Sequence, residues 1–185
     1  MSKKKLTKQD IYGIIQKYKN IPLSNDDIMN LVDGKANIIR YSDMHKIRNI
    51  DDLLYPYNAC VILYEAKPRD GHWCVLTKHG NNVEFMDSYG EMFDKQLDYI
   101  DPNFRIRSNQ DKPYLGYLLL NCPYDISYNE HKFQKLSKDV KDCGRWSALR
   151  ILFKNLELKD FKDLFYGPYS DDIATAVTYD RSQLK

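Results

Sequence analysis

The run Ala59-Cys60-Val61-Ile62-Leu63-Tyr64 constrains the fold more than any other stretch. It is continuous, apolar and rich in β-branched side chains, the pattern of a strand buried within a sheet. Two further strands are predicted after a turn at Pro68 to Gly71. His72 to Lys78 and Val83 to Asp87 flank Gly80-Asn81-Asn82, a hairpin signal. Helical patterns surround this centre. Thr7 with Asp10 reads as a capping box, opening a helix with Ile11, Ile14, Ile15 and Tyr18 on one face. Ser24 with Asp27 opens a second helix that ends near Gly34. A strand is expected over Ala36 to Tyr41, a helical turn over Ile50 to Leu54, helix over Leu97 to Ile100 and a strand over Gly116 to Asn121. Leu158 to Phe165 and Ser170 to Tyr179 read as closing helices. The sum is an α+β domain, a mixed β-sheet packed with helices.

The 185 residues suit a single domain over 1–185, with residues 1–5 a frayed basic tail. A formal net charge of +2 encodes no strong global pull toward nucleic acid or an acidic membrane. Met-Ser-Lys-Lys-Lys is followed by amphipathic sequence, so no secretory leader is expected. No run approaches the ~20 apolar residues of a membrane span. Cys60, Cys74, Cys122 and Cys143 show neither zinc-ribbon nor disulfide-framework spacing, which points to a reducing compartment.

Chemistry concentrates around Asp142-Cys143-Gly144-Arg145-Trp146. Apolar positions from Trp146 onward fall at helical spacing through Leu149, Leu152 and Phe153. Asp142 is the expected N-cap. Cys143 then sits in the first helical turn, where backbone N–H groups and partial positive charge favour a thiolate. Gly144 keeps side-chain bulk away from the sulfur. Upstream, Gly71-His72-Trp73 places a histidine at the mouth of a strand, and an imidazole is the natural base for a thiol. The hairpin brings Asp87 beside His72, where a carboxylate fixes the tautomer and supports the imidazolium. Gln134 offers a side-chain amide to a developing oxyanion. His72 and Cys74 share a strand face, but ligand spacing elsewhere suggests no metal site.

The order His72, Asp87, Gln134, Cys143 resembles that of the adenovirus-type and SUMO-protease-like cysteine proteases. The matching motifs are Gly71-His72-Trp73, Asp87-Ser88-Tyr89-Gly90, Gln134 and Asp142-Cys143-Gly144-Arg145-Trp146, covering residues 71–150. Leu23-Ser24-Asn25-Asp26-Asp27-Ile28 and Asp51-Asp52-Leu53-Leu54 resemble the smaller maturation proteases of virophages and Maverick-like elements. The resemblance implies a papain-related architecture with circularly ordered His-Asp-Gln-Cys. It assigns Cys143 as nucleophile, His72 as general base then acid, Asp87 as orienting acid and Gln134 as oxyanion donor. Trp73, Gly144 and Trp146 are implied on the substrate side, with Trp73 walling a channel that admits small residues such as glycine. Two features depart from the family's pattern: the short loop between His72 and Asp87, and Cys74 beside the histidine.

The implied activity is an endopeptidase cutting capsid or structural precursor proteins during virion maturation. It would act as a monomer in the host cytoplasm, virus factory and virion interior, without membrane or cofactor. An isopeptidase acting on host ubiquitin-like conjugates is the alternative within the same chemistry. A non-catalytic binding module on a degenerate protease fold is the alternative outside it. Lys132, Lys135, Lys138 and Lys141 read first as a solvated face. The sharper readings of the same lysines are electrostatic bias of a thiolate and contact with nucleic acid; activation by DNA or a peptide is the one cofactor-like expectation.

Overall fold

The structure is a computed structural model that describes residues 7–183. The tail expected over residues 1–5 lies outside them. The sheet has five strands in the order β1 (Asn37–Arg40), β2 (Ala59–Lys67), β3 (Asp70–His79), β4 (Asn82–Asp87) and β5 (Asp125–Tyr128). The β2–β3 and β3–β4 pairs are antiparallel. The two outer pairs are parallel, so the sheet is mixed and the domain is α+β.

Alternation along the central strands sends apolar side chains to both faces. Val61, Leu63, Trp73, Val75 and Met86 face α2 (Asn25–Leu31) and α6 (Cys143–Leu152). Cys60, Ile62, Tyr64, Cys74 and Leu76 face α3 (Ile50–Leu54) and α5 (Tyr114–Leu120). A strand enclosed on both sides has no polar face to keep, which is why Ala59 to Tyr64 reads as a continuous apolar run. Helices α1 (Lys8–Tyr18) and α2 carry the capping boxes foreseen at Thr7 with Asp10 and Ser24 with Asp27. Short α4 (Pro102–Arg107) follows β4, and α7 (Leu158–Phe165) and α8 (Ser170–Ser182) close the fold. Among the described residues no helix is long and apolar enough to cross a membrane.

The strand expected over Gly116 to Asn121 is helix instead. Its apolar run fits either element, but Leu115, Leu118 and Leu119 are its buried leucines, at helical spacing. The true edge strand, β5, lies in the polar stretch beyond that helix, and its side chains are exposed or only half-buried. Leu97 falls in a 3-10 turn over Lys95–Tyr99.

Candidate active site

Cys143 is the first residue of α6 and lies at the inner edge of a groove of about 720 Å³. Leu23, Arg69, Gly71, Trp73 and Lys141 line the same groove. Asp142 occupies the N-cap position, but its carboxylate does not cap the helix. Oδ1 accepts from Arg145 Nε at 2.9 Å and Oδ2 from Thr175 Oγ1 at 3.1 Å. A buried guanidinium needs a counter-charge more than the first turn needs a cap, and the aspartate turns inward to supply it. Burial pushes the Asp142 carboxyl up to about 7, against the pull of Arg145. Residues 143–151 of α6 are all buried, so this helix runs through the core rather than along it.

Gly71 lets the chain reach His72. A Cβ built at Gly71 would come 1.9 Å from the Tyr64 carbonyl oxygen on the neighbouring strand, so only glycine fits. His72 then projects toward the end of β4. Its Nε2 lies 2.8 Å from Oδ1 of Asp87. The strand register pairs Asp87 with Cys74, so His72 reaches it diagonally. Tyr89 stacks on the imidazole at 4.8 Å between centroids and 16° between planes. Negative charge at the Cys143 sulfur, on the groove side, favours the protonated ring. Burial lowers the affinity of His72 for a proton. The Asp87 carboxylate and negative charge at the Cys143 sulfur outweigh it and hold the imidazole well above its ordinary pKa, while burial pushes the Cys74 thiol up to about 12 and keeps it neutral.

Asp87 is wholly buried and fully engaged. Beyond His72, Oδ1 accepts from the Tyr89 backbone N–H at 2.8 Å and Oδ2 from Gln96 Nε2 at 2.6 Å. Asn129 clamps its main chain, donating to the Asp87 carbonyl at 2.6 Å and accepting from its N–H at 2.8 Å. Sequence reasoning missed Gln96, Asn129 and the stacking of Tyr89. Only Tyr89 carried a signal, by following Asp87 in the turn; the amides lie in polar stretches without periodicity.

Gln134 is buried beside the same turn. Its Oε1 accepts from Ser88 Oγ at 2.9 Å, and its Nε2 donates to Val140 O at 3.1 Å and Tyr89 Oη at 3.3 Å. Trp73 is pinned by Nε1 donating to Leu23 O at 3.2 Å, which holds it as a wall of the groove. Gly144 packs beneath, where a Cβ would come 3.1–3.2 Å from Leu23, Ile28 and Trp73. Trp146 is not on the substrate side. It is fully enclosed, donates to Asp171 Oδ1 at 3.1 Å, and packs on Phe133 and Phe165. Its helical register one turn from Cys143 points it into the core. The four lysines are exposed, but their segment has no helix to gather them on one face; Lys141 lines the groove with Cys143.

No family model matches the chain. It is 45% identical over 168 residues to the uncharacterized protein V9 of Sputnik virophage, covering 87% of this chain and 96% of that one. The chain belongs to the family of that virophage protein. Among solved structures, it is similar to the central domain of an uncharacterized Legionella pneumophila protein, at 14% identity and a TM-score of 0.43, over 88% of this chain and 98% of that one. It is similar to the SUMO protease Ulp1 with its catalytic cysteine oxidized to a sulfinic acid, at 13% identity and a TM-score of 0.39, over 97% and 98%. It is also similar to the ASFV protease, at 17% identity and a TM-score of 0.36, over 65% of this chain and 43% of that one. Likenesses this loose assign no chemistry to this chain, which has to be read from its own side chains.

Proposed function

We propose that the chain is a cysteine protease in which Cys143 is the nucleophile, His72 its base and Asp87 the acid that orients His72. One observation carries the reading: His72 bonds Asp87 at 2.8 Å, and Cys143 opens helix α6 on the groove, where its charge bears on the same ring. The Cys143 sulfur bonds to the substrate carbonyl carbon, and its proton resides on His72. His72 passes that proton to the leaving amine as the C–N bond breaks. It then takes one from water, whose oxygen displaces the sulfur. The backbone N–H of Cys143 and one N–H of Gln134 hold the oxyanion, the latter after letting go of its longer bond to Tyr89 Oη.

The substrates we propose are capsid or structural precursor proteins, cut after small residues that pass the Trp73 wall. The virophage relative supports a viral setting. The test joins labelling to cleavage. Iodoacetamide should modify Cys143 faster than the other cysteines, and slower in His72→Ala. Cleavage of glycine-containing precursor peptides should fall by orders of magnitude in folded Cys143→Ala and His72→Ala, and by ~10²–10³ in Gln134→Ala. Turnover of a ubiquitin-like conjugate in place of the peptides would shift the reading to an isopeptidase. Full cleavage by Cys143→Ala would end it.

A further inference from the structure

The catalytic scheme leaves one buried nucleophilic group beside the histidine without a task. Cys74 is wholly buried, sits two residues along β3 from His72 on the same strand face, and pairs directly with Asp87 across the ladder. The nearest donor atoms of His72, Cys74 and Asp87 all lie within 4.8 Å of one another. We propose that these three residues form an inhibitory site for a thiophilic divalent cation of the zinc class.

The donor set fits that ion. Thiolate and imidazole are its preferred ligands, and a carboxylate completes a three-ligand site with the fourth position left for water. Zinc bonds of about 2.0–2.3 Å place tetrahedral donors roughly 3.3–3.6 Å apart. The present separations bracket that range: 2.8 Å between His72 Nε2 and Asp87 Oδ1 and at most 4.8 Å across the group. Adjustments of about an ångström in side chains therefore suffice. The outer contacts a metal site requires are already built: Gln96 and the Tyr89 N–H hold the carboxylate, and Tyr89 fixes the plane of the imidazole. His72 supplies the way in. Its side chain is 13% exposed while that of Asp87 is closed off. On binding, the Cys74 thiol gives its proton to solvent and its sulfur to the ion.

Cys143 is not one of the three. The ion instead occupies the imidazole and carboxylate that the nucleophile depends on, so metal binding and proton transfer exclude each other. The ion site stands on geometry alone, while its inhibitory effect rests on the protease reading.

The experiment uses the full chain carrying Cys143→Ala, which removes the nucleophile as a ligand. Cobalt(II) uptake is followed through its thiolate charge-transfer band, and zinc affinity by competition with cobalt. One ion per chain with a thiolate band is expected. Affinity should fall at least about tenfold in Cys143→Ala chains also carrying Cys74→Ala or His72→Gln. A thiolate band unchanged by Cys74→Ala, or no uptake at all, overturns the proposal. If Cys74→Ala fails to fold, the same criterion applied to His72→Gln decides. With Cys143 restored, zinc should stop peptide cleavage, a chelator should reverse this, and Cys74→Ala should weaken it at least about tenfold. A chain that binds the ion yet cleaves nothing would reject the protease reading and leave the site standing.

Discussion

Gln96 Nε2 lies 2.6 Å from Oδ2 of Asp87, the carboxylate oxygen that His72 does not use. Both partners are buried, so this bond decides which way the carboxylate presents Oδ1 to the imidazole. Gln96→Ala leaves Oδ2 buried without a donor, at a cost of about 1–3 kcal/mol. The carboxylate then has reason to rotate. We expect cleavage by Gln96→Ala to drop in kcat by about tenfold or more, with KM nearly unchanged, because Gln96 is not among the residues lining the Cys143 groove. Gln96→Glu should be worse, since it sets a second carboxylate against the first. Steady-state kinetics on the folded variants separates the two parameters.

Gly71→Ala is expected to be the most damaging single methyl in the site. The added carbon would meet the Tyr64 carbonyl oxygen at 1.9 Å and its carbonyl carbon at 2.8 Å. Neither can swing away, since both are main chain of β2, which is paired on both sides. The β2–β3 pairing must open at His72, moving the base from both Asp87 and Cys143. Loss of cleavage and slowed iodoacetamide labelling of Cys143 should appear together, with a fall in thermal midpoint. Unchanged labelling kinetics in Gly71→Ala would show that the register survives.

The sheet centre and the site's principal residues were legible because they rest on local or short-range signals. The Gly80-Asn81 turn joins β3 to β4, so the hairpin alone places Asp87 within reach of His72. Elements without such a signal were lost. The Tyr114–Leu120 run is apolar on most sides and short, so periodicity does not separate helix from strand. Strand β5 is held by parallel pairing to β4, which leaves no turn to announce it. Trp146 illustrates a subtler failure. Its spacing from Cys143 fixes a helix, but whether that helix lies on the surface or within the core depends on α7 and α8, which come later in the chain. Asp142 takes the expected N-cap position, but its carboxylate turns from the helix to a partner the local sequence does not announce, Thr175 of α8.

Arg150 and Glu84 join α6 to β4 by two contacts of 2.6 and 3.0 Å in an enclosed setting. The same guanidinium donates to the carbonyls of Phe153 and Leu156, so it also closes the end of the helix. Removing one member strands a buried charge. Glu84→Leu and Arg150→Met should each destabilise by about 3–5 kcal/mol. Glu84→Leu combined with Arg150→Met should cost clearly less than the sum of the single changes. Urea denaturation of the wild type, the single variants and the double variant gives the coupling. Additive losses would mean that the pair contributes only through packing.

The proton on His72 should make stability depend on pH in one direction. Its folded-state pKa is raised above the ordinary 6.5, burial notwithstanding, by the Asp87 carboxylate and charge at the Cys143 sulfur. Above pH 6.5 the unfolded chain therefore releases a proton that the folded chain keeps. The stabilisation is complete below that value and disappears as pH rises through the folded pKa, at about 1.4 kcal/mol per unit of separation. Urea midpoints measured from about pH 6 to about pH 9 should fall more steeply for the wild type than for His72→Gln. Cys143→Ala should lie between them, because it removes the sulfur whose charge favours the imidazolium and leaves Asp87 in place. Parallel curves for all three chains would mean that His72 is neutral in the resting protein, and that its proton arrives only when a substrate is attacked.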